Sequence, residues 1–357
     1  MNKITRGPGR RNSGHKGVNI ALQGGGAHGA FTWGVLDKFF EDDRLWIDAI
    51  SGTSAGAMNA VVSAHGMHEN GAIGARAKLE EFWRAVSVSA QTSPIQRSWW
   101  AKATQNWSLE SSPGFQWMNF VQRVASPYDL NPFDYDPLRE VLDDVVDFER
   151  VRNSTDMGVF VSATNVETGR VKVFKREEIT LDSTMASACL PYLFKAVEIG
   201  GTPYWDGGYM GNPPLFPFFH GSPSNDILIV QINPIERPGT PKRAAEIQNR
   251  INEITFNSAL LHELRSIDFV RRLLDAGQLD ESKYRRMNIH VIQLCPQVAK
   301  LDASSKLNAE WDFLRYLYET GRKIADEWLV DNFDSLGKRS SVEIRGMFDS
   351  IAALPEL

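Results

Sequence analysis

The chain has 357 residues, a mass of 40.0 kDa, 42% apolar residues, a formal net charge of −5 and a pI near 5.9. That is enough apolar material for a full-sized core, and the acidic balance gives no general reason to expect a nucleic-acid partner. The two cysteines, Cys189 and Cys295, cannot build a disulfide framework and match no zinc spacing, so both are expected to be packing residues and no metal or cofactor is expected.

Residues 1–17 carry Lys3, Arg6, Arg10, Arg11 and Lys16 among glycines and polar residues. They lack the apolar core of a secretory signal, and a disordered basic tail is expected, with weak attraction to anionic lipid as the sharper reading. No run of about 18 to 20 apolar residues occurs anywhere, so no membrane span is expected. The expected setting is cytoplasmic, at most peripheral to a membrane.

Next come two strand–turn–helix units. The apolar run Val18-Asn19-Ile20-Ala21-Leu22 leads into Gly24-Gly25-Gly26-Ala27-His28-Gly29, after which Phe31, Val35 and Phe39 recur at helical spacing. Ile47 to Ile50 leads into Gly52-Thr53-Ser54-Ala55-Gly56, followed by small and apolar residues to Val62. Glycine permits a left-handed turn or a close approach, and a helix opening just after it leaves N–H groups free to hold negative charge.

A polar stretch over 65–76 separates this unit from Leu79 to Trp83. Residues 91–135 then hold Trp99, Trp100, Trp107, Phe115, Trp117 and Phe120 without a clean period. An irregular excursion with buried aromatics is the bland expectation; a lid or an apolar lining for an acyl chain, with some tryptophans at a lipid–water boundary, is the functional one. The pattern predicts a helix from Pro137 to Val146, a strand over 158–163 paired with one over 171–174, and a helix from Thr184 to Leu190 capped by Asp182-Ser183. It further predicts a turn at Tyr204-Trp205-Asp206-Gly207-Gly208, strands over 227–232 and 289–294, and helices over 244–276 and 307–330. Alternating strands and helices predict a mainly parallel sheet covered on both faces.

Ser54 is the centre of the chemistry. In Gly-x-Ser-x-Gly the serine sits on a sharp turn from strand to helix with its hydroxyl exposed at the sheet edge. Such a nucleophile needs backbone donors for the developing oxyanion, and the first glycine turn can supply them. It also needs a base. None of the seven histidines is compelling, although the order Ser54, Asp206, His220 is compatible with a hydrolase triad. Asp206 can serve directly if a dry pocket raises its pKa; the bland reading of Asp206-Gly207-Gly208 is a surface turn. Gly24, Gly26 and Gly29 also fit the dinucleotide fingerprint Gly-x-Gly-x-x-Gly. However, the second strand does not end on the acidic residue that a ribose would need.

The three motifs in this order resemble the patatin-like phospholipase family, with its Gly-Gly-Gly-x-Arg/Lys-Gly turn, Gly-x-Ser-x-Gly elbow and Asp-Gly-Gly/Ala turn. Ser162-Ala163-Thr164-Asn165, Ala186-Ser187-Ala188 with Pro191, and Asn212-Pro213-Pro214-Leu215 extend the likeness. It implies a three-layer α/β/α fold with a mainly parallel central sheet, formed by a catalytic domain over 18–233 and a mostly helical extension over 234–357. It also implies lipid acyl-ester hydrolysis by a Ser54–Asp206 dyad without histidine, metal or cofactor. Gly24, Gly25, Gly26 and Gly29 would form the oxyanion turn, with Gly52, Gly56, Gly207 and Gly208 supporting the motifs. His28 stands where the family usually has arginine or lysine. Either backbone donors act alone, or His28 is protonated in use.

Overall fold

The computed structural model describes residues 14–122, 124–294 and 301–349; most of the basic tail and Cys295 lie outside them. The chain order is β1 (Lys16–Leu22), α1 (Gly29–Glu41), β2 (Leu45–Gly52), α2 (Ala55–Ala90), α3 (Trp99–Ala103), α4 (Pro113–Val121), α5 (Pro127–Leu130), α6 (Pro137–Val145) and α7 (Phe148–Asn153). It continues with β3 (Gly158–Asn165), β4 (Val171–Lys175), α8 (Leu181–Ser187), β5 (Val197–Ile199), β6 (Thr202–Asp206), α9 (Phe218–Gly221), β7 (Asp226–Gln231) and α10 (Ala244–Asp275). β8 (Asn288–Gln293), α11 (Trp311–Asn332) and α12 (Ile344–Phe348) complete it.

Among the described residues, eight strands form one sheet in the order β5-β6-β3-β2-β1-β7-β8, with β4 on the other edge of β3. The β3-β2-β1-β7-β8 run is parallel, while β4, β5 and β6 are antiparallel to their neighbours. The central strands are apolar at successive positions because both faces are covered. Ile20 and Leu22 of β1, with Leu228 and Val230 of β7, join the core under α1, α2 and α11. The alternate residues Ala21, Ile227 and Ile229 join the core under α9, α10 and α12. Period-two alternation thus divides one apolar run between two helical layers, giving the expected α/β/α fold.

The periodic trio Phe31, Val35 and Phe39 is buried as expected. α11 crosses α1 with two glycines at the contact: a Cβ at Gly34 would lie 2.1 Å from the Tyr318 carbonyl, and one at Gly321 would lie 2.2 Å from that of Phe31.

Several boundaries differ from the sequence pattern. β1 begins at Lys16, whose ammonium donates to the Phe333 carbonyl (2.7 Å), so the last residues assigned to the tail belong to the sheet. The polar stretch over 65–76 stays inside α2, which kinks at Asn70 and Gly71 instead of ending. Thr180, not Asp182-Ser183, caps α8, through a reciprocal box with Ser183 (3.1 and 2.8 Å). The helix predicted from Leu307 begins only at Trp311; residues 303–307 form a 3₁₀ turn with Asp302 accepting from the Ser305 N–H.

The aromatics of 91–135 are only partly core. Trp107 packs on Phe313 and Tyr316, but Trp99, Trp100, Trp117 and Phe120 are 77, 63, 68 and 57% exposed. The segment forms short helices that reach the interior through few residues, among them Ala101 and Leu109, and α4 buries no side chain at all.

Candidate active site

The sheet brings Ser54 and Asp206 together through one strand edge. Val161 of β3 pairs with Gly52, the last residue of β2, and Ala163 pairs with Asp206, the last residue of β6. β4 occupies the opposite edge of β3 over the same stretch. β2 and β6 therefore share an edge and run toward each other, ending two residues apart, about 7 Å at strand spacing. The glycine turn that carries Ser54 leaves one end, and the Asp206 carboxylate stands at the other.

Ser54 has φ 54° and ψ −123°, a backbone state that side chains avoid, and caps α2 without using its side chain. Its N–H donates to Ser187 Oγ (2.9 Å) at the end of α8, and its hydroxyl stays available. The glycines around it are places of close approach. A Cβ at Gly24 would lie 2.7 Å from Ser54 Cβ, one at Gly52 2.4 Å from the Gly56 carbonyl, and one at Gly56 2.3 Å from that of Leu22. Gly29 likewise packs on Ala55. Holding serine in this conformation costs on the order of 1–3 kcal/mol. Ser54→Gly is therefore expected to melt above Ser54→Ala by the equivalent of about 1 kcal/mol. Equal melting temperatures would mean that the elbow is unstrained.

Asp206 is 1% exposed. Its N–H donates to the Cys189 carbonyl (2.8 Å), its own carbonyl accepts from Thr164 Oγ1 (2.8 Å), and Oδ1 accepts from the Gly208 N–H (2.7 Å). Oδ2 is buried without a hydrogen-bond partner. Burial pushes the carboxyl up to about 7, against the opposing pull of Gly208 N–H, the Ser54 hydroxyl and the Lys306 charge. The Ser54 hydroxyl thus lies close to the Asp206 carboxylate, whose Oδ2 accepts no hydrogen bond. Gly207 lets this turn lie against Ser162, whose carbonyl would be 2.3 Å from a Cβ there. The bland reading of Asp-Gly-Gly as a surface turn does not hold, because β6 carries the turn into the interior.

The first glycine turn divides its amides. Gly24 N–H donates to Asn212 Oδ1 (2.7 Å), and Gly29 N–H is used by the 3₁₀ turn over Gly26–His28. Among the described residues, the N–H groups of Gly25 and Gly26 have no partner. His28 is buried with Nε2 2.9 Å from Ser305 Oγ. Burial, with the positive charges of Lys306 and Arg237, pushes it down to about 3, so it is neutral at physiological pH. Of the two roles open to it from sequence, the protonated one has no support in its surroundings.

His220 lies elsewhere. It is exposed at the end of α9, beside Phe219 and Ser222, whose carbonyls accept from Arg285 shortly before β8 begins. That is the opposite rim of the sheet from the end of β2. His290 is bonded to Asp226 in the core (3.0 Å), and His65 is buried within α2. Nor is the first turn open in the way a dinucleotide would need. A Cβ at Gly25 would meet Ile232 at 2.6 Å, and one at Gly26 would meet the Lys306 carbonyl at 2.3 Å.

The family model of patatin-like phospholipases matches residues 20–219, more than half of the chain, with Ser54, Asp206 and both glycine turns inside the match. The chain belongs to that family. The chain spans about half to two thirds of the length of the solved structures it resembles. VipD from Legionella pneumophila is similar at 15% identity, over 86% of this chain and 67% of that one, with a TM-score of 0.38. The type III effector protein ExoU is similar at 13% identity, over 88% of this chain and 52% of that one, with a TM-score of 0.35. ExoU in its complex with SpcU, from the type III secretion system of Pseudomonas aeruginosa, gives 14% identity, 87% and 53% coverage and a TM-score of 0.32. No curated protein sequence matches the chain. Among the described residues, no helix is long and apolar enough to cross a membrane.

Sequence reasoning assigned no role to Ser187, which holds the elbow, or to Asn212, which holds Gly24, although both lie in stretches that resemble the family. It missed Asn233 and Lys306 altogether. Asn233 Nδ2 donates to the Gly24 carbonyl (2.7 Å), and Lys306 Nζ donates to Asn233 Oδ1 (2.7 Å). No local pattern marks either residue.

Proposed function

We propose that this patatin-like protein hydrolyses the acyl ester of a lipid by a Ser54–Asp206 dyad. Ser54 Oγ forms a bond to the ester carbonyl carbon while Asp206 takes its proton. The negative oxygen of the tetrahedral intermediate is held by the Gly25 and Gly26 amides at a site close to the N-terminus of α2. Collapse breaks the bond to the alcohol, which leaves with the proton from Asp206. Water then gives its proton to Asp206 and attacks the acyl-serine, and the proton returns to Ser54 as the fatty acid departs.

The observation that carries this reading is a buried carboxylate with one unpaired oxygen beside the elbow hydroxyl. A carboxyl held near 7 is matched to accepting a proton at neutral pH. The exposed aromatics Trp99, Trp100, Trp117 and Phe120 suit contact with a lipid–water boundary. An acyl-chain lining for this segment would require the lipid itself to cover those rings.

The test is covalent. A fluorophosphonate probe is expected to leave its adduct on Ser54, and the untreated protein to release fatty acid from phospholipid vesicles. An adduct on another residue, or unchanged fatty-acid release after complete labelling of Ser54, would reject the dyad.

A further inference from the structure

Behind the glycine turn lies a second 3₁₀ turn, over Ala303–Leu307, from the C-terminal part of the chain. The two are in close contact: a Cβ at Gly26 would lie 2.3 Å from the Lys306 carbonyl, and Ser305 Oγ bonds to His28. Lys306 keeps some exposure as a residue, but its ammonium is deeply packed. Among the described residues it makes no ion pair. Its hydrogen-bond partner is the neutral Asn233 Oδ1 at 2.7 Å, and Asn233 holds the Gly24 carbonyl. The nearby cation Arg237 is different, being bound to Glu253 at 2.7 Å, which Arg250 also engages at 3.2 Å.

An ammonium is expensive to bury without a carboxylate partner. A site that forms a transient oxyanion is a place where such a charge is compensated during the reaction and not before it. The motif residue at position 28 supplies no charge, since its imidazole is neutral. We propose that Lys306 supplies the positive charge of the oxyanion turn, acting through Asn233 and the field it sets at Gly24–Gly26. It is a positioning and charge-supplying residue delivered by a segment outside the family match. This rests on the Ser54–Asp206 reading.

The charged and titratable groups around Lys306 are Glu253, Arg237, Asp206 and His28. Burial, opposed by Glu253 and Asp206 and reinforced by Arg237, pushes the ammonium down to about 8. The charge is therefore present at neutral pH and lost in the mildly alkaline range. Its presence also lowers the pKa of Asp206.

The experiment measures kcat and KM for a p-nitrophenyl acyl ester from pH 5 to 10 in the wild type, Lys306→Met and Lys306→Arg. Lys306→Met is expected to lower kcat on the order of 10²-fold, the scale of losing one oxyanion contact, with KM changed far less. Its acid limb should also move to higher pH, because Asp206 loses a stabilising cation. Lys306→Arg is expected to keep most of kcat and to extend activity further into alkali than wild type, because a guanidinium holds its proton. Wild-type kcat in Lys306→Met would overturn the proposal. So would an equal loss in Lys306→Arg with the alkaline limb unmoved, since shape and not charge would then matter. The wild-type alkaline limb is readable even if a variant folds poorly. Hydrolysis that persists in Ser54→Ala would instead reject the dyad, so the two failures are distinct.

Discussion

Ser54→Ala and Asp206→Asn are each expected to lower kcat/KM for acyl esters on the order of 10³-fold or more, since each would remove one half of the proposed dyad. They should differ in stability. Asp206 has a folded pKa of about 7, well above the carboxylate reference of 3.8. The folded state therefore holds this proton more tightly than the unfolded chain does. Stability from this group is fully present below about pH 4 and is lost as pH rises toward 7. Above that, a buried charge opposes folding. Asparagine keeps the Oδ1 acceptor for Gly208 N–H and carries no charge, so Asp206→Asn should melt above wild type at pH 8, by the equivalent of a few kcal/mol at most. The difference should shrink as the buffer is taken toward pH 5. Wild-type kcat/KM should itself rise through an acid limb near 7. Thermal melts at several pH values, read beside the pH–rate profile, check both statements. A melting difference that does not change with pH would show that the carboxylate is not held in a dry site.

Gly26→Ala is expected to be the most damaging glycine substitution in the first turn. Gly26 has φ +57°, where a side chain costs on the order of 1–2 kcal/mol. Its Cβ would also lie 2.3 Å from a carbonyl of the 303–307 turn, and that neighbour is backbone, not a movable side-chain end. Relief requires the two turns to separate, which would pull the Gly26 amide from the proposed oxyanion position and Lys306 from Asn233. A loss of labelling rate by fluorophosphonate on the order of 10²-fold should accompany the fall in melting temperature. Gly169→Ala isolates the conformational part. Its φ is +65°, nothing lies within 4 Å of the added Cβ, and it is remote in role from the dyad. It should lower stability by about 1 kcal/mol and leave activity alone. Equal labelling rates in the two variants would show that contact between the turns is irrelevant to catalysis.

The local signals were strong where chemistry restricts residue type at close spacing. Glycines at 24, 26, 52 and 56 are required by contacts of under 3 Å, so they appear in the sequence as motifs. The trio Phe31, Val35 and Phe39 faces one core, and its spacing says so. The apolar strand runs revealed a sheet covered on both faces.

Other features depend on residues far apart in the chain, and no window of sequence contains them. Asp206 could be read as a plain surface turn until β6 was seen to share an edge of β3 with β2, which carries the carboxylate into the interior and sets its pKa. The start of α11 was misplaced because Asp302 caps a 3₁₀ turn inside an apparently helical pattern. The tryptophans at 99, 100 and 117 could be read from sequence either as buried or as facing a lipid–water boundary, and the short helices that carry them leave them exposed. By itself, then, the sequence determined the layered fold and the family, because both rest on motifs and spacing along the backbone, and it offered Ser54 and Asp206 as the candidate pair. Only the tertiary structure decided which glycine amides remain free, that His28 is neutral, and that Lys306 lies behind the turn. Those depend on burial and on charges brought together from residues as far apart in the chain as His28 and Lys306, which short-range patterning does not encode.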